Sequence, residues 1–425
     1  MSVRGRRIAV GILVACTLTA CTTVPESSNV PTAELELVSW WTSGSEQRAL
    51  RVLFDAYKAG HADVTVTNGA VAGGAGSNAQ IVLAQRLLDG DPPDTWQTFP
   101  GGALRAFVDR NQVADVSDLY ESGLATAIPD TIREGLTVDG KQYGVPTSSH
   151  RGNVLFFNKA MLAKAGVSEP GADYTTATFA DDLAKLDESG VTPLCLGAKD
   201  PFTTTALFEN VLLSVIGDDG WRRISQDRFD WNSESVDEAL RRFGQILDDA
   251  DPEAAGLTWD AATKKLANGE CAFESMNDSA FGELINAGAT EGKTFGQVPF
   301  PGTDGRYIAV VDTFVQARQS ANGRNSHDFL AVLGSPATQL AFSEAKGSVP
   351  IRTDVDVSSL TPYQQSAAES LRNDTVLWSI AHGEAVSPQF QQGFYDAVAS
   401  YVRSRDPEAF RSTLIEAMRR QPPAK

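Results

Sequence analysis

Trp40 and Trp41 stand side by side and are followed by Thr42, Ser43, Ser45 and Glu46. Flat aromatic plates beside hydroxyls and a carboxylate suit a polyhydroxylated ring. Such a ring has a C–H face that an indole can cover and a hydroxyl rim that needs polar groups. Similar mixtures recur downstream. Asn277 and Asp278 follow the strand-like run 271–276, and Trp259 follows Gly256-Leu257-Thr258. Lys346 precedes the turn Gly347-Ser348-Val349-Pro350, and His382 lies between Trp378 and Gly383. Each of these, taken singly, would serve as well in a core or on a surface.

Catalytic signatures are scarce. The four histidines, His61, His150, His327 and His382, form no His-x-x-x-His or His-Glu-x-x-His pair, so no metal site is expected. No Gly-x-Ser-x-Gly elbow occurs. The turn Gly73-Gly74-Ala75-Gly76 lacks the Gly-Lys-Ser/Thr ending of a phosphate loop and reads as a flexible strand-to-helix connection. With 54 acidic residues, chance carboxylate pairs are inevitable, and none stands out as a glycosidase couple. These residues point to binding without a cofactor.

The elements around them alternate. Residues 35–41 read as a strand, 45–59 as a helix with Leu50, Leu53, Phe54 and Tyr57 on one face, and 64–66 as a second strand. A helix is expected from Ser77 until Asp91-Pro92-Pro93-Asp94 breaks it, then a strand over 95–99. Further strands are predicted at 153–157, 271–276, 308–311 and 314–317. Helices are predicted near 204–216, 235–248 and 259–268, with Thr178 and Asp181 as a capping box for the helix ending at Leu186. From 326 onward the chain reads as mainly helical. This alternation predicts an α/β protein with a mostly parallel sheet covered on both faces. At 425 residues the chain suits two lobes. No long linker separates them, so the chain is expected to cross between lobes more than once, leaving a cleft on short hinges.

Composition narrows the partners. Hydrophobic content of 42% and charged content of 21% fit a globular protein. The net charge is -18, and because the first twenty residues hold three arginines and no acid, the remainder carries -21. That field repels nucleic acid and favours a neutral or cationic partner. Arg4, Arg6 and Arg7 precede an apolar run, 8–20, too short to span a bilayer, which reads as an export signal. The run ends Leu18-Thr19-Ala20-Cys21, a lipobox-like sequence in which Cys21 would carry lipid. Residues 22–32 have a tether's composition. Export places Cys195 and Cys271 in an oxidising compartment. They form a disulfide if their strands are neighbours, and otherwise two buried thiols.

Several motifs together resemble a known family. These are Trp40-Trp41, the run from Ala70 through Gly73-Gly74-Ala75-Gly76 to Ala79, and Asp91-Pro92-Pro93-Asp94-Thr95. His150-Arg151-Gly152-Asn153, Met276-Asn277-Asp278, Lys346 to Pro350 and Ile380-Ala381-His382-Gly383 extend the match over about residues 35–415. The chain resembles bacterial ABC-transporter sugar-binding lipoproteins, that is, extracellular solute-binding proteins of the glucose/mannose-binding branch. The resemblance implies a type II periplasmic-binding-protein fold, with two α/β lobes, crossing hinge segments and a central cleft. It divides the chain into a signal peptide (1–20), a tether (21–33), an N-terminal lobe (34–147 and 307–352) and a C-terminal lobe (148–306 and 353–425). Trp40 or Trp41 would stack on the sugar, Glu46 would accept from hydroxyls, and Lys346 would donate. Trp259, Asp278 and His382 would line the opposite wall, with His150 and Asn277 in the matching motifs. Phe99 stands where glucose binders tend to carry His or Lys. Ser279 replaces a tryptophan and would open room for a second sugar unit. The implied partners are a sugar and ABC permease subunits, met by a lipid-anchored monomer outside the cytoplasmic membrane. The alternatives are a lipid-anchored carbohydrate-active enzyme and a sugar sensor that transports nothing.

Overall fold

The computed structural model describes residues 33–171 and 173–419. The expected signal peptide, Cys21 and all of the tether but Ala33 lie outside the described residues. Alternating apolar residues build the first sheet: Leu35 and Leu37 of β1 (Glu34–Val38) are fully buried, whereas β2 (Thr65–Asn68) is an edge with exposed Thr65 and Thr67. β1 pairs in parallel with β2 and with β3 (Thr95–Thr98). A short ladder, β4 (Thr137–Val138) and β5 (Lys141–Gln142), precedes β6 (Val145–Arg151).

The second sheet takes β7 (Val154–Asn158), β8 (Leu194–Cys195), β9 (Phe273–Met276) and β10 (Phe295–Pro299), in the order β10-β7-β9-β8. The first sheet then resumes with β11 (Arg306–Gln316), β12 (Val349–Pro350) and β13 (Thr375–Trp378). Its order is β12-β6-β11-β3-β1-β2, with β13 parallel to β11. β11 runs antiparallel to both β3 and β6, so the sheet is mixed: β2-β1-β3 and the β11-β13 pair are parallel, and the rest is antiparallel. The two strands expected at 308–311 and 314–317 are one strand with a register shift between Asp312 and Thr313.

Three crossings join the lobes. The first lies at 151–154, because β6 stays in the first sheet as far as Arg151. The expected boundary at 147/148 therefore falls inside a strand. The second, 300–305, runs from β10 to β11. The third lies at 379–387 and not at 352/353. β13 pairs with β11, and Tyr363, Ala367, Ala368 and Leu371 of the Pro362–Asn373 helix belong to the first core. The second core holds Leu155 and Phe157 from β7 and Phe390 and Phe394 from the Pro388–Ser404 helix.

Two corrections concern local signals. The Thr176–Glu188 helix is capped by Thr175, which accepts from the Thr178 amide at 3.1 Å, so Thr178 does not open it. Asp94 of the Pro-Pro motif does more than end a helix. Its carboxylate accepts from the Glu36 amide (2.8 Å), Ser320 Oγ (2.6 Å) and the Asn322 amide (3.2 Å), tying β1 to the loop after β11.

Cys195 and Cys271 are disulfide-bonded, with Cα atoms 5.7 Å apart, a usual span for a bridge. The neighbouring parallel strands β8 and β9 bring them together. The third crossing touches the first lobe backbone to backbone. Gly102 and Ala103 donate to the carbonyls of Glu384 (3.1 Å) and Gly383 (3.0 Å). A Cβ on Gly101 would lie 2.1 Å from the Glu384 carbonyl oxygen, and one on Gly102 1.8 Å from that of Val386.

Candidate functional site

Strands from both sheets end at one cleft. β1 delivers Trp40 and Trp41, β3 delivers Phe99, β6 His150, β11 Asp312, and β9 Met276 and Asn277. Helix ends add Glu46, Trp259, Ser279 and Lys346, and the third crossing adds His382. The cleft encloses about 820 Å³ including its open mouth.

Both tryptophans line it, where the resemblance implied that one or the other would meet the sugar. Trp40 lies 5.1 Å from Phe99 by ring centroids and packs against Gly76, whose left-handed backbone (φ +75°) leaves no room for a side chain. Trp41 is wedged against Phe314 and Phe342. Phe99 and Phe202 meet the His382 ring edge-on. Phe202 escaped the sequence reading because it sits in the first turn of a long helix, Pro201–Ser225, with no polar neighbour pattern to mark it as a contact.

The polar floor is a chain of buried hydrogen bonds. Gln97 Nε2 donates to Asp312 Oδ1 (2.9 Å) while its Oε1 accepts from the Trp40 amide (3.4 Å). Asp312 Oδ2 faces His150 Nε2 at 3.2 Å. His150 Nδ1 is hydrogen-bonded to Asp278 Oδ1. Burial and the Lys346 charge push the His150 pKa down, but the two carboxylates outweigh them and it is raised. Burial pushes Asp312 up, yet the His150 hydrogen bond prevails and holds it below its ordinary value. The ring is therefore an imidazolium with both nitrogens occupied. It lines the cleft but keeps no N–H for a ligand.

Asp278 is the clearest correction among the expected ligand contacts. It is fully buried and does not line the cleft. Besides His150, it accepts from the Arg151 amide (3.1 Å) and the Tyr363 hydroxyl (3.0 Å), which turn it away from the opening. Asp312, unnoticed in the sequence, is the carboxylate that reaches the floor. A lone acid inside the apolar strand run 308–315 was its only signal.

A second cluster surrounds Lys346. Its ammonium donates to Glu46 Oε1 (3.3 Å) and Ser279 Oγ (3.2 Å) and lies 6.0 Å from the Trp41 ring. Two of its three donors are thus engaged, and one remains for a ligand. Glu46 Oε2 accepts from the amides of Thr42 and Ser43, capping the Gly44–Lys58 helix. Ser279, expected to open space, instead positions the lysine.

His382 is held differently. Glu209 accepts from the amides of Ile380 (2.7 Å) and Ala381 (2.8 Å) and from Ser379 Oγ (3.0 Å). Ser379 Oγ in turn contacts His382 Nδ1 at 2.9 Å. Because the hydroxyl proton goes to Glu209, Nδ1 carries the ring proton and Nε2 is left as an acceptor, 3.3 Å from Asn277 Nδ2. Burial pushes the His382 pKa down to about 3, and the His150 charge adds to this. Trp259 opens the Trp259–Asn268 helix, its amide held by Asp200 at 3.0 Å. Eight of the nine expected ligand residues therefore meet in one cleft.

The comparisons agree with this architecture. The profile described as bacterial extracellular solute-binding protein matches residues 52–368. The chain belongs to that family. This solute-binding protein is 30% identical over 389 residues to an uncharacterized ABC transporter extracellular-binding protein of Pyrococcus horikoshii, covering 91% of this chain and 88% of the other. It is 28% identical over 363 residues to a xylose/arabinose-binding protein of Haloferax volcanii, covering 84% and 78%. In fold it is similar to a chitin oligosaccharide binding protein, with a TM-score of 0.80, 18% identity and coverage of 91% and 98%. The fold is that of the type II periplasmic binding proteins. No described helix is long and apolar enough to cross a membrane.

Proposed function

We propose that this solute-binding protein is the extracytoplasmic sugar-binding component of an ABC importer. It takes a mono- or small oligosaccharide, with glucose- or mannose-like units favoured, and delivers it to a membrane permease. The observation that carries the reading is the pairing, in one cleft, of aromatic plates with hydrogen-bonding groups already fixed in place. Trp40, Trp41 and Phe99 come from the first lobe, Phe202 and Trp259 from the second. Preorganised groups lose little freedom on binding, so contacts convert to affinity efficiently. A sugar touching both lobes stabilises a closed arrangement by its differential affinity for it. The relatives named for sugars support the ligand class. A lipid on Cys21 would hold this monomer beside its permease.

The two acids expected at the site are both engaged, which favours binding over catalysis. Asp278 is sealed beneath His150, and Glu46 is engaged by Lys346 and two amides. The test is a thermal-shift panel of sugars on protein lacking residues 1–21. Binding raises the unfolding midpoint by mass action. Glucose, mannose or a short glucoside is expected to raise it, with no product formed. A response confined to peptides or metal ions would overturn the ligand class. Trp259→Leu is expected to weaken sugar binding about tenfold, on the order of 1.4 kcal/mol, while the protein stays folded.

A further inference from the structure

Trp259 lines the cleft from the first residue of its helix, and its main chain is clamped on three sides. Asp200 Oδ2 accepts from its amide at 3.0 Å. A Cβ on Gly197 would lie 2.6 Å from the Trp259 Cα, so the chain after β8 rests directly on it. The Trp259 carbonyl faces Thr263 Oγ1 at 3.0 Å, and that hydroxyl is also 2.8 Å from Glu274 Oε1. Glu274 belongs to β9, and two residues on along the same face Met276 lines the cleft. The acid stands one step behind the wall.

One hydroxyl proton must serve both Thr263 contacts. A carbonyl can only accept, so both are hydrogen bonds only if Glu274 carries a proton and donates it to Thr263, which then donates to Trp259. Glu274 Oε2 is buried with no hydrogen-bond partner among the described residues. A neutral acid tolerates that far better than a carboxylate. The ionisable groups on the elements packed against β9 are engaged elsewhere or exposed. Lys265 is paired with Asp251 and Glu253, and Lys264 is exposed. Asp260 accepts from Thr258, Glu209 from Ser379, and Glu283 from Ser45. β8 sets disulfide-bonded Cys195 opposite Glu274, and β7 sets Phe156 there. Burial accordingly pushes Glu274 up to about 8, against the single hydrogen bond of Thr263.

We propose that Glu274 is a positioning residue for ligand binding: held as the neutral acid, it relays through Thr263 to the Trp259 carbonyl and fixes the indole at the cleft wall. This rests on the sugar-binding reading of the cleft above. The folded acid titrates near 8, well above its ordinary 4.5, so the relay is complete below that pH and lost as pH rises through it. The carboxylate then takes the Thr263 proton, and the Trp259 carbonyl loses its side-chain partner.

The test is fluorine NMR of the protein carrying fluorotryptophan at its seven tryptophans. The resonance missing in Trp259→Leu belongs to Trp259. It is expected to shift as pH rises through about 8 and to hold still in Glu274→Gln, whose amide can still donate to Thr263. Affinity for glucose, mannose and cellobiose is read in parallel by titration calorimetry. For whichever of them binds, it should fall about threefold from about pH 7 to about pH 9.5 in the native protein and stay level in Glu274→Gln. Glu274→Leu should be about threefold weaker at both. A Trp259 resonance that does not titrate, or a fall in affinity that survives Glu274→Gln, overturns the relay and leaves the sugar-binding reading standing. A titrating resonance that Glu274→Gln silences, with no heat from any of the three sugars, supports the relay and removes the glucose- or mannose-like reading.

Discussion

His150 and His382 line one cleft, 2% and 4% exposed, yet their surroundings shift them in opposite directions, His150 up and His382 down. Burial lowers the pKa of both. His150 touches two carboxylates directly, one at each ring nitrogen, and these overcome the desolvation penalty. His382 reaches a carboxyl only through Ser379 Oγ. That carboxyl, Glu209, is itself pushed up to about 7 by burial against the pull of its amide donors. With no carboxylate touching its ring, burial and the nearby His150 charge prevail in His382. The first lobe thus brings to the cleft a charge already satisfied, and the third crossing brings a neutral ring whose Nε2 lies against Asn277.

The strongest way to break this contrast is to remove the buried acid. Asp278→Ala leaves the His150 charge with one carboxylate and strands the Arg151 amide and Tyr363 hydroxyl. Breaking such a buried pair is expected to cost about 4 kcal/mol in urea unfolding. A loss under about 1 kcal/mol would mean that His150 is not held as an imidazolium. Trp41→Ala belongs in the same range, about 3–5 kcal/mol, since the ring fills a packed site against Phe314 and Phe342. It is therefore a poor test of ligand stacking.

A smaller effect is expected from Glu209→Gln, about 1–2 kcal/mol, because the amide keeps one acceptor for the crossing loop. Its sharper signature is in pH. Glu209 titrates higher folded (about 7) than its ordinary 4.5, so the stability it contributes is full below 4.5 and lost as pH rises through 7. Glu209→Gln should flatten stability over that window.

The smallest effects come from the histidines. His382 is depressed from 6.5 to about 3, so its contribution is intact above 6.5 and lost as pH falls toward 3. His150 is raised, so its contribution is full below 6.5 and lost as pH rises through its folded value. Urea titrations of His382→Asn should therefore lose part of the acid-side decline, and those of His150→Asn part of the alkaline-side decline. Slopes of the same sign in both variants would remove the contrast.

The fold was legible where periodicity and turn residues agreed. Helices at 259–268 and 234–248 and strands β1, β3 and β7 stand close to where the pattern puts them. The antiparallel β11 was not legible, because an apolar run states that a strand is buried and not which neighbour it meets. The third crossing was misplaced for the same reason: β13 is four residues whose sheet is fixed by distant β11. Among site residues, tryptophans and strand-tip amides announced themselves. Asp278 announced itself equally and faces inward, since three donors outcompete solvent for it. Sequence shows that an acid is present, and only the fold shows what has already claimed it.

The contact at Gly101 and Gly102 bears on how ligand comes and goes. Main chain rests on main chain there, with no side chain to slide or ratchet, so the proposed lobe movement reduces to rotation about that point. Displacement then grows with distance from it. His382, two residues before Glu384, would scarcely shift. The ring on the crossing would keep its aim throughout the cycle.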